Sequence, residues 1–284
     1  MKLVPITQML AKAKREQYAI GHFNLINLEF TQAIAETANE EQAPVIFGVG
    51  EATIRYMGLD YVVSIAQTAA NRVDVPIALH LDHGSSFEVV LQCIRAGFSS
   101  VMFDGSHYSL EENIRLTRKV VEAAHAVGVS VEGELGTIGG TEDDITVEEK
   151  DVQLPKPEEA IQFWKETGVD ALAVAVGTAH GMYKSEPKIR CDIISETTAH
   201  VDAALVLHGG SGIPDESIRN AIMAGVSKIN VNTENQMAFT GKIRELLAGD
   251  PQLFDARGYL GPARDAVKET VRDKIRLFGC NGKA

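Results

Sequence analysis

Eight short apolar runs, each followed by a longer amphipathic or polar stretch, place the strongest constraint on the fold of this chain. They are Tyr18 to Asn24, Pro44 to Gly48, Pro76 to Asp82, Ser100 to Asp104, Val129 to Leu135, Ala171 to Gly177, Ala204 to His208 and Lys228 to Asn232. A short continuous run such as Ala204-Leu205-Val206-Leu207 suits a strand buried on both faces. Between the runs lie helical stretches such as "LEFTQAIAETANEE", "SLEENIRLTRKVVEAAHAVG" and "PEEAIQFWKETG", the last two ending at a glycine that can stop a helix. Eight strand-helix units close most economically as an α/β fold of the (β/α)8 TIM-barrel type. An open doubly wound sheet is the alternative, but no GxGxxG follows an early strand to favour it. A barrel uses about 250 residues. The 284 here are therefore expected to form a single domain, 1–284, with a C-terminal helical extension.

Charge and cysteine content narrow the function classes. A formal net charge of -12 disfavours a nucleic-acid or anionic-membrane surface, which would need clustered Lys and Arg. A phosphorylated small molecule is still compatible, because a helix N-terminus binds phosphate locally whatever the global charge. Cys93, Cys191 and Cys280 show no paired spacing, so neither a disulfide framework nor a thiolate zinc site is expected. The N-terminal "MKLVPITQML" lacks a signal-peptide core, and no run approaches the roughly 18 apolar residues of a spanning helix. A cytoplasmic location is expected.

The polar residues concentrate where these strands end. The third run closes "LHLDH" with His80, Asp82 and His83, the fourth ends in Asp104, the sixth leads to His180 and the seventh ends at His208. In parallel α/β folds that end carries the chemistry, because the loops leaving it converge on one crevice. The fifth run, "VSVEGELG", alternates so that Val129, Val131, Gly133 and Leu135 share one face and Ser130, Glu132 and Glu134 the other. Two carboxylates then point into the barrel, either as a buried ion pair or toward a cation. His83, His180 and His208 come from three different strands and leave a fourth position open, the ligand pattern of a catalytic zinc site. For each alone, a hydrogen-bonded structural histidine is the commoner case. His22, His80, His107, His125 and His200 receive no metal role, and His125 and His200 are expected to be solvated on helices.

The segments "HLDHGSS", "SVMFDGSH", "VEGELGTIGGTEDD", "VGTAHGMY", "LHGGSGIP" and "KINVNTE", in that order, resemble the class II, metal-dependent fructose-bisphosphate aldolases and their tagatose-bisphosphate relatives. The resemblance extends through the C-terminal "FGCNGKA". It implies that His83, His180 and His208 hold a catalytic Zn²⁺. Asp82 would be the acid/base at the cleaved bond, and Glu142 the base that moves the proton at the ketone's α-carbon. Asp104 and Glu134 match positions for a second or displaced divalent ion, and a monovalent cation bound by backbone carbonyls is implied as well. Gly181, the turn Gly209, Gly210 and Ser211, and Asn230, Val231, Asn232 and Thr233 match the dihydroxyacetone phosphate site. Arg257 matches an arginine that reaches the far phosphate, sometimes from a neighbouring subunit. A homodimer or homotetramer acting on a small sugar bisphosphate follows from the resemblance, with no nucleic-acid or membrane partner.

The chemistry fits those residue types. Retro-aldol cleavage of a ketose bisphosphate leaves negative charge on an enediolate, so the ketone oxygen needs an electron sink, which Zn²⁺ supplies as a Lewis acid. A lysine Schiff base is the other solution. The sixth run contains no lysine, Lys228 is expected at the amino end of the eighth strand away from the active face, and Lys184 lies in a loop. Turns after the seventh and eighth strands are where barrels commonly hold phosphate, and "HGGSG" and "NVNTE" stand there. The alternative for these two is a pair of tight turns with helix caps. The segment from Gly136 to Val152 is expected either as a solvated loop or as a lid that delivers Glu142.

The particular sugar is less sharply indicated. "VGTAHGMY" looks more like the tagatose-bisphosphate enzymes, while "VNTENQ" and "GEATIRYMG" look more like the fructose-bisphosphate enzymes of Gram-positive bacteria. Fructose 1,6-bisphosphate is the substrate expected, with tagatose 1,6-bisphosphate or 6-phospho-5-dehydro-2-deoxygluconate as alternatives. A metal-dependent hydrolase would start with an HxH pair on the first strand, which here reads "YAIGHFN" with one histidine. A non-catalytic barrel is disfavoured because Asp82, Glu142 and the three histidines all carry competent side chains.

Overall fold

The computed structural model describes residues 3–142, 145–148, 152–181, 183 and 187–284, with the side chains of 141–147 outside that description. Its strands are β1 (Ile20–Asn24), β2 (Val45–Val49), β3 (Ile77–Gly84), β4 (Ser100–Phe103), β5 (Ser130–Leu135), β6 (Gly139–Glu142), β7 (Ile145–Val147), β8 (Ala171–Val174), β9 (Ala179–His180), β10 (Ala204–Leu207) and β11 (Val226–Val231). Eight of them close a barrel in the order β1-β11-β10-β8-β5-β4-β3-β2, and every pairing in it is parallel. The closed barrel expected from the sequence is present, and the open sheet is excluded.

The helices are α1 (Ile6–Glu16), α2 (Leu28–Glu40), α3 (Glu51–Met57), α4 (Leu59–Ala70), α5 (Phe87–Ala96), α6 (Leu110–His125), α7 (Pro157–Thr167), α8 (Cys191–His200), α9 (Asp215–Ala224), α10 (Thr233–Gly249) and α11 (Ala256–Leu277). Several start where the sequence provides a cap: Asn27, Ser86 and Ser109 accept hydrogen bonds from the backbone N–H groups of Phe30, Val89 and Glu112. Glycine ends α7, where Gly168 takes φ 72. The other glycine-ended helix is shorter than expected, since α6 closes at Ala126 before Gly128. Helix α11 is the C-terminal extension and packs across α2 and α10. Two elements were not foreseen. Helix α1 lies against the barrel before the first strand, its Ile6 N–H donating to Ser130 Oγ at 3.0 Å. The connection after β2 is split at Gly58 into α3 and α4. Among the described residues, no helix is long and apolar enough to cross a membrane.

Three differences from the sequence reading matter for function. The sixth run forms a barrel strand only through Val174, and the chain then leaves the barrel. His180 lies instead in β9, which pairs with β6 in a separate sheet of order β7-β6-β9. The described part of the segment from Gly136 to Val152 is not a simple solvated loop. It supplies an antiparallel β6–β7 hairpin that pairs through Gly140 with His180. The eighth strand begins earlier than expected, at Val226, so Lys228 is an interior residue of β11 with no exposure. Its ammonium lies inside the barrel, which corrects the expectation that it faces away.

Candidate active site

The barrel interior is unusually polar. Branched apolar side chains dominate the layers of most such barrels, yet His22, His80, Asp82, Glu132, Lys228 and Asn230 are all buried here. His22 on β1 needs the glycine across from it, since a Cβ at Gly48 would fall 2.0 Å from its ring. His22 Nε2 approaches Asp82 Oδ1 at 3.7 Å, and Asn230 Nδ2 donates to the same oxygen at 3.3 Å. Neither His22 nor His80 was given a role by sequence reasoning, yet with Asp82 they form one buried cluster. A histidine within an apolar run gives no signal of what lies across the barrel.

Above this floor the three expected histidines converge. Donor atoms of His83, His180 and His208 lie within 4.8 Å of one another. His83 stands near the end of β3 at φ 46, a left-handed conformation that a non-glycine residue adopts at a cost. The β3–β4 register shifts between Leu81 and Gly84, beside that residue. His83 Nδ1 bonds to Asp104 Oδ2 at 2.8 Å, and His83 Nε2 faces His208 Nδ1 at 3.1 Å. His208 follows β10 directly, so the strand end sets its depth. His180 reaches the group from the side sheet, not from a barrel strand.

The two carboxylates of β5 divide the two readings made of them. Glu132 is a buried ion-pair partner, with Oε1 2.9 Å from His208 Nε2 and Oε2 2.8 Å from Lys228 Nζ. Burial would push its carboxyl up, but Lys228 and the His208 bond outweigh that and hold it well below the usual range. Among the described residues, no lysine or arginine pairs with Glu134. Its Oε2 has no hydrogen-bond partner and lies 3.8 Å from His83 Nδ1 and 4.0 Å from His208 Nδ1. Burial, and then the Asp104 charge, push its carboxyl well up. A buried carboxylate oxygen facing two imidazoles fits a divalent cation bound among them. Asp104 is partly buried, which alone would raise it, but the His83 bond and charge and the Ser106 hydrogen bonds bring it below the ordinary carboxylate range. His83, Asp104 and Glu134 form a second group whose donor atoms lie within 4.8 Å of one another and that could hold a metal ion.

The turn after β10 lies next to the trio, directly following His208. Gly209 takes φ 67, and a Cβ there would fall 2.3 Å from Ala179 O, so this turn can run against β9 only as glycine. Tyr183 fastens the two together, donating from its hydroxyl to Gly209 O at 2.8 Å and accepting from Ala179 N at 2.9 Å. Sequence reasoning passed over Tyr183, although it stands three residues after His180. Gly210 N–H donates to Asn230 O at 2.8 Å, joining the turn to β11. Ser211 Oγ accepts from Glu234 N at 3.3 Å. Val231 is buried, and Asn232 and Thr233 open α10, whose N-terminus points backbone N–H groups outward from the strand end. Gly181 takes φ 88 directly after His180.

Two expected site residues are not brought to the trio by any described contact. Arg257 is 92% exposed and pairs with Asp255 at 2.8 Å in the first turn of α11. Glu142 ends β6, and its side chain lies outside the described residues, as does Lys184. Of the remaining histidines, His125 is not simply solvated but bonds to Asp170 Oδ2 at 2.8 Å. His200 is exposed at the end of α8. A cavity of about 660 Å³ lined by Val4, Met9, Tyr18 and Pro76 lies near α1 at the opposite, amino-terminal end of the barrel and contains none of these site residues.

Burial of neutral histidines predicts a pH effect on the metal-free protein. His22 and His80 are held well below the ordinary histidine range by burial and then by Lys228, and His208 is lowered to about 4, chiefly by burial. In the unfolded chain they protonate near pH 6.5, so as pH falls the unfolded state binds more protons and stability drops. Each contributes a slope of up to about 1.4 kcal/mol per pH unit, for His208 between about 6.5 and about 4. Glu134 acts in the opposite sense, because its folded form keeps a proton above the unfolded carboxyl range. Three histidines outweigh one carboxyl, so the urea midpoint of chelator-treated protein should fall steeply from pH 7 to 5. A flat profile would show that these rings are not buried neutral.

A closed barrel in which two histidines at strand ends meet a third from the side sheet, their donor atoms within 4.8 Å, has the ligand arrangement of a metal-assisted barrel enzyme. The family model described as "Fructose-bisphosphate aldolase class-II" matches residues 4–283, and the chain belongs to that family. It is 52% identical to a fructose-bisphosphate aldolase of Geobacillus stearothermophilus, covering 100% of this chain and 99% of that one. It is 51% identical to a probable fructose-bisphosphate aldolase of Bacillus subtilis, covering both chains fully at 100%. The crystal structure of the YdjI aldolase from Escherichia coli K12 superposes with a TM-score of 0.88 at 35% identity, covering 99% of each chain.

Proposed function

We propose that this chain is a class II aldolase that reversibly cleaves fructose 1,6-bisphosphate to dihydroxyacetone phosphate and glyceraldehyde 3-phosphate. The observation that carries the reading is the convergence of His83, His180 and His208, with Asp82 preceding His83 in the chain, in a member of this family. The three histidines would hold Zn²⁺, with Asp104 and Glu134 available to a second ion. When bound, the metal acts as a Lewis acid that polarises the ketone oxygen.

The chain's own residues would do the rest. Asp82, oriented by Asn230, exchanges the proton at the hydroxyl where the carbon–carbon bond breaks. Glu142 moves the proton at the α-carbon of the three-carbon fragment. Gly181, Gly209, Gly210 and Ser211, with Asn230, Val231, Asn232 and Thr233, bind the dihydroxyacetone phosphate end through backbone N–H groups and hydroxyls. Arg257 serves the far phosphate, and its exposure suits a role across a homodimer or homotetramer. A monovalent cation on backbone carbonyls completes the cofactors. One domain, 1–284, accounts for the chain, and three free cysteines suit the cytoplasm.

A coupled assay comparing kcat/KM for fructose 1,6-bisphosphate, tagatose 1,6-bisphosphate and 6-phospho-5-dehydro-2-deoxygluconate tests the substrate. Fructose 1,6-bisphosphate should lead by about tenfold or more, equivalent to about 1.4 kcal/mol of transition-state discrimination. A lead for either competitor reassigns the enzyme within its family, and no cleavage of any of the three rejects the activity.

A further inference from the structure

Beneath the three histidines, Lys228, Glu132 and His208 form a continuous chain from β11 through β5 to the end of β10, and none of the three side chains is exposed. Glu132 uses its two oxygens differently. Oε1 is 2.9 Å from His208 Nε2, while Oε2 lies 2.8 Å from Lys228 Nζ and 3.6 Å from His80 Nε2. The lysine contact is an ion pair by distance, with an angle outside hydrogen-bond geometry. A carboxylate oxygen can only accept, so His208 must carry its proton on Nε2. Its lone pair then sits on Nδ1, the atom 3.1 Å from His83 Nε2 and 4.0 Å from Glu134 Oε2.

We propose that Glu132 and Lys228 are positioning residues for the metal centre. Glu132 selects the His208 tautomer whose Nδ1 lone pair faces His83 and Glu134, and Lys228 anchors Glu132 at 2.8 Å so that the selection holds. The inference deepens the aldolase reading above and rests on it for the presence of a metal. It also gives Lys228 a use other than Schiff-base chemistry, because its ammonium is tied to Glu132 below the histidines. The carboxylate–histidine–metal relay is a general device, and loss of such a partner commonly weakens metal binding about 10–100-fold.

Replacing Glu132 alone would leave Lys228 as an uncompensated buried charge and risk unfolding, whereas replacing both members of a buried pair with neutral groups is often tolerated. The test therefore uses the double variant Glu132→Gln with Lys228→Met. Its Zn²⁺ affinity is measured by chelator competition, its Co²⁺ form by visible absorption, and its folding by thermal unfolding of the metal-free protein. The expected result is a folded protein that binds Zn²⁺ about 10–100-fold more weakly and shows an altered Co²⁺ band. A folded double variant with unchanged affinity and spectrum overturns the proposal.

A second measurement needs no variant. Histidine-selective ¹⁵N NMR of the wild-type metal-free protein should show the His208 proton on Nε2. The opposite tautomer overturns the proposal even where the double variant does not fold. Failure of the wild-type protein to bind Zn²⁺ would instead count against the aldolase reading, and the tautomer measurement would still decide the role of Glu132.

Discussion

Exhaustive chelation should abolish cleavage, and added Zn²⁺ or Co²⁺ should restore it. The expected loss is on the order of 10³-fold or more, because a Lewis acid at the ketone oxygen contributes several kcal/mol of charge stabilisation and each 1.36 kcal/mol is tenfold in rate. No other group in the described site replaces that sink. Lys228, a buried amine below the histidines, is held by Glu132 at 2.8 Å. Borohydride added with substrate should therefore leave activity intact. His208→Ala should lose the metal without any chelator, and normal zinc content in that variant would remove His208 from the ligand set. Full activity after complete metal removal would end the metal-dependent mechanism.

Asp82→Ala should depress kcat by about 10²–10⁴-fold, the range for loss of a positioned acid or base, while metal content stays near one equivalent per site. Asp82 neighbours a ligand but belongs to a different cluster, with His22 and His80. Its carboxylate accepts from Asn230, which itself lies in the segment proposed to hold the substrate's phosphate end. Truncation leaves the buried Asn230 amide without that acceptor and should cost about 1–3 kcal/mol of stability. The decisive readout is thus kcat with metal content and thermal midpoint measured together. Near-normal turnover in a folded, metal-loaded variant would remove Asp82 from the proton-transfer step.

Much of this site was legible before any coordinates. His83 and His208 stand at strand ends that apolar runs announce, and Asp104 follows β4 by one residue. Their convergence follows from the fold, because a closed parallel barrel carries all its strand ends to one rim. Alternation along β5 correctly placed Glu132 and Glu134 on a common face. It could not assign one to an ion pair and the other to the histidines, since that depends on what lies across the barrel.

His180 shows the limit from another side. The run "ALAVAVG" looks like one strand, but the barrel uses four of its residues and the chain then turns to pair with β6. Periodicity within a segment is local, while the choice of partner strand is not. Lys228 was misplaced for a related reason: a strand boundary set two residues too late moved its ammonium from inside the barrel to one end of it. His22 carried no motif and Tyr183, though it closes the segment "VGTAHGMY", was given no role; they acquire meaning only through Gly48 and Gly209, which are far from them in sequence.

By itself the sequence determined that this chain forms a parallel barrel and that its ionisable groups collect where the strands end, because burial on two faces and the strand period leave their mark residue by residue. Tertiary structure alone decided which nitrogen of each histidine is committed to a carboxylate, which carboxylate has a lysine, and which turn lies against which strand. Those outcomes depend on distances across the barrel between residues that are remote in sequence, where a shift of one hydrogen bond changes a metal-facing nitrogen into a structural one.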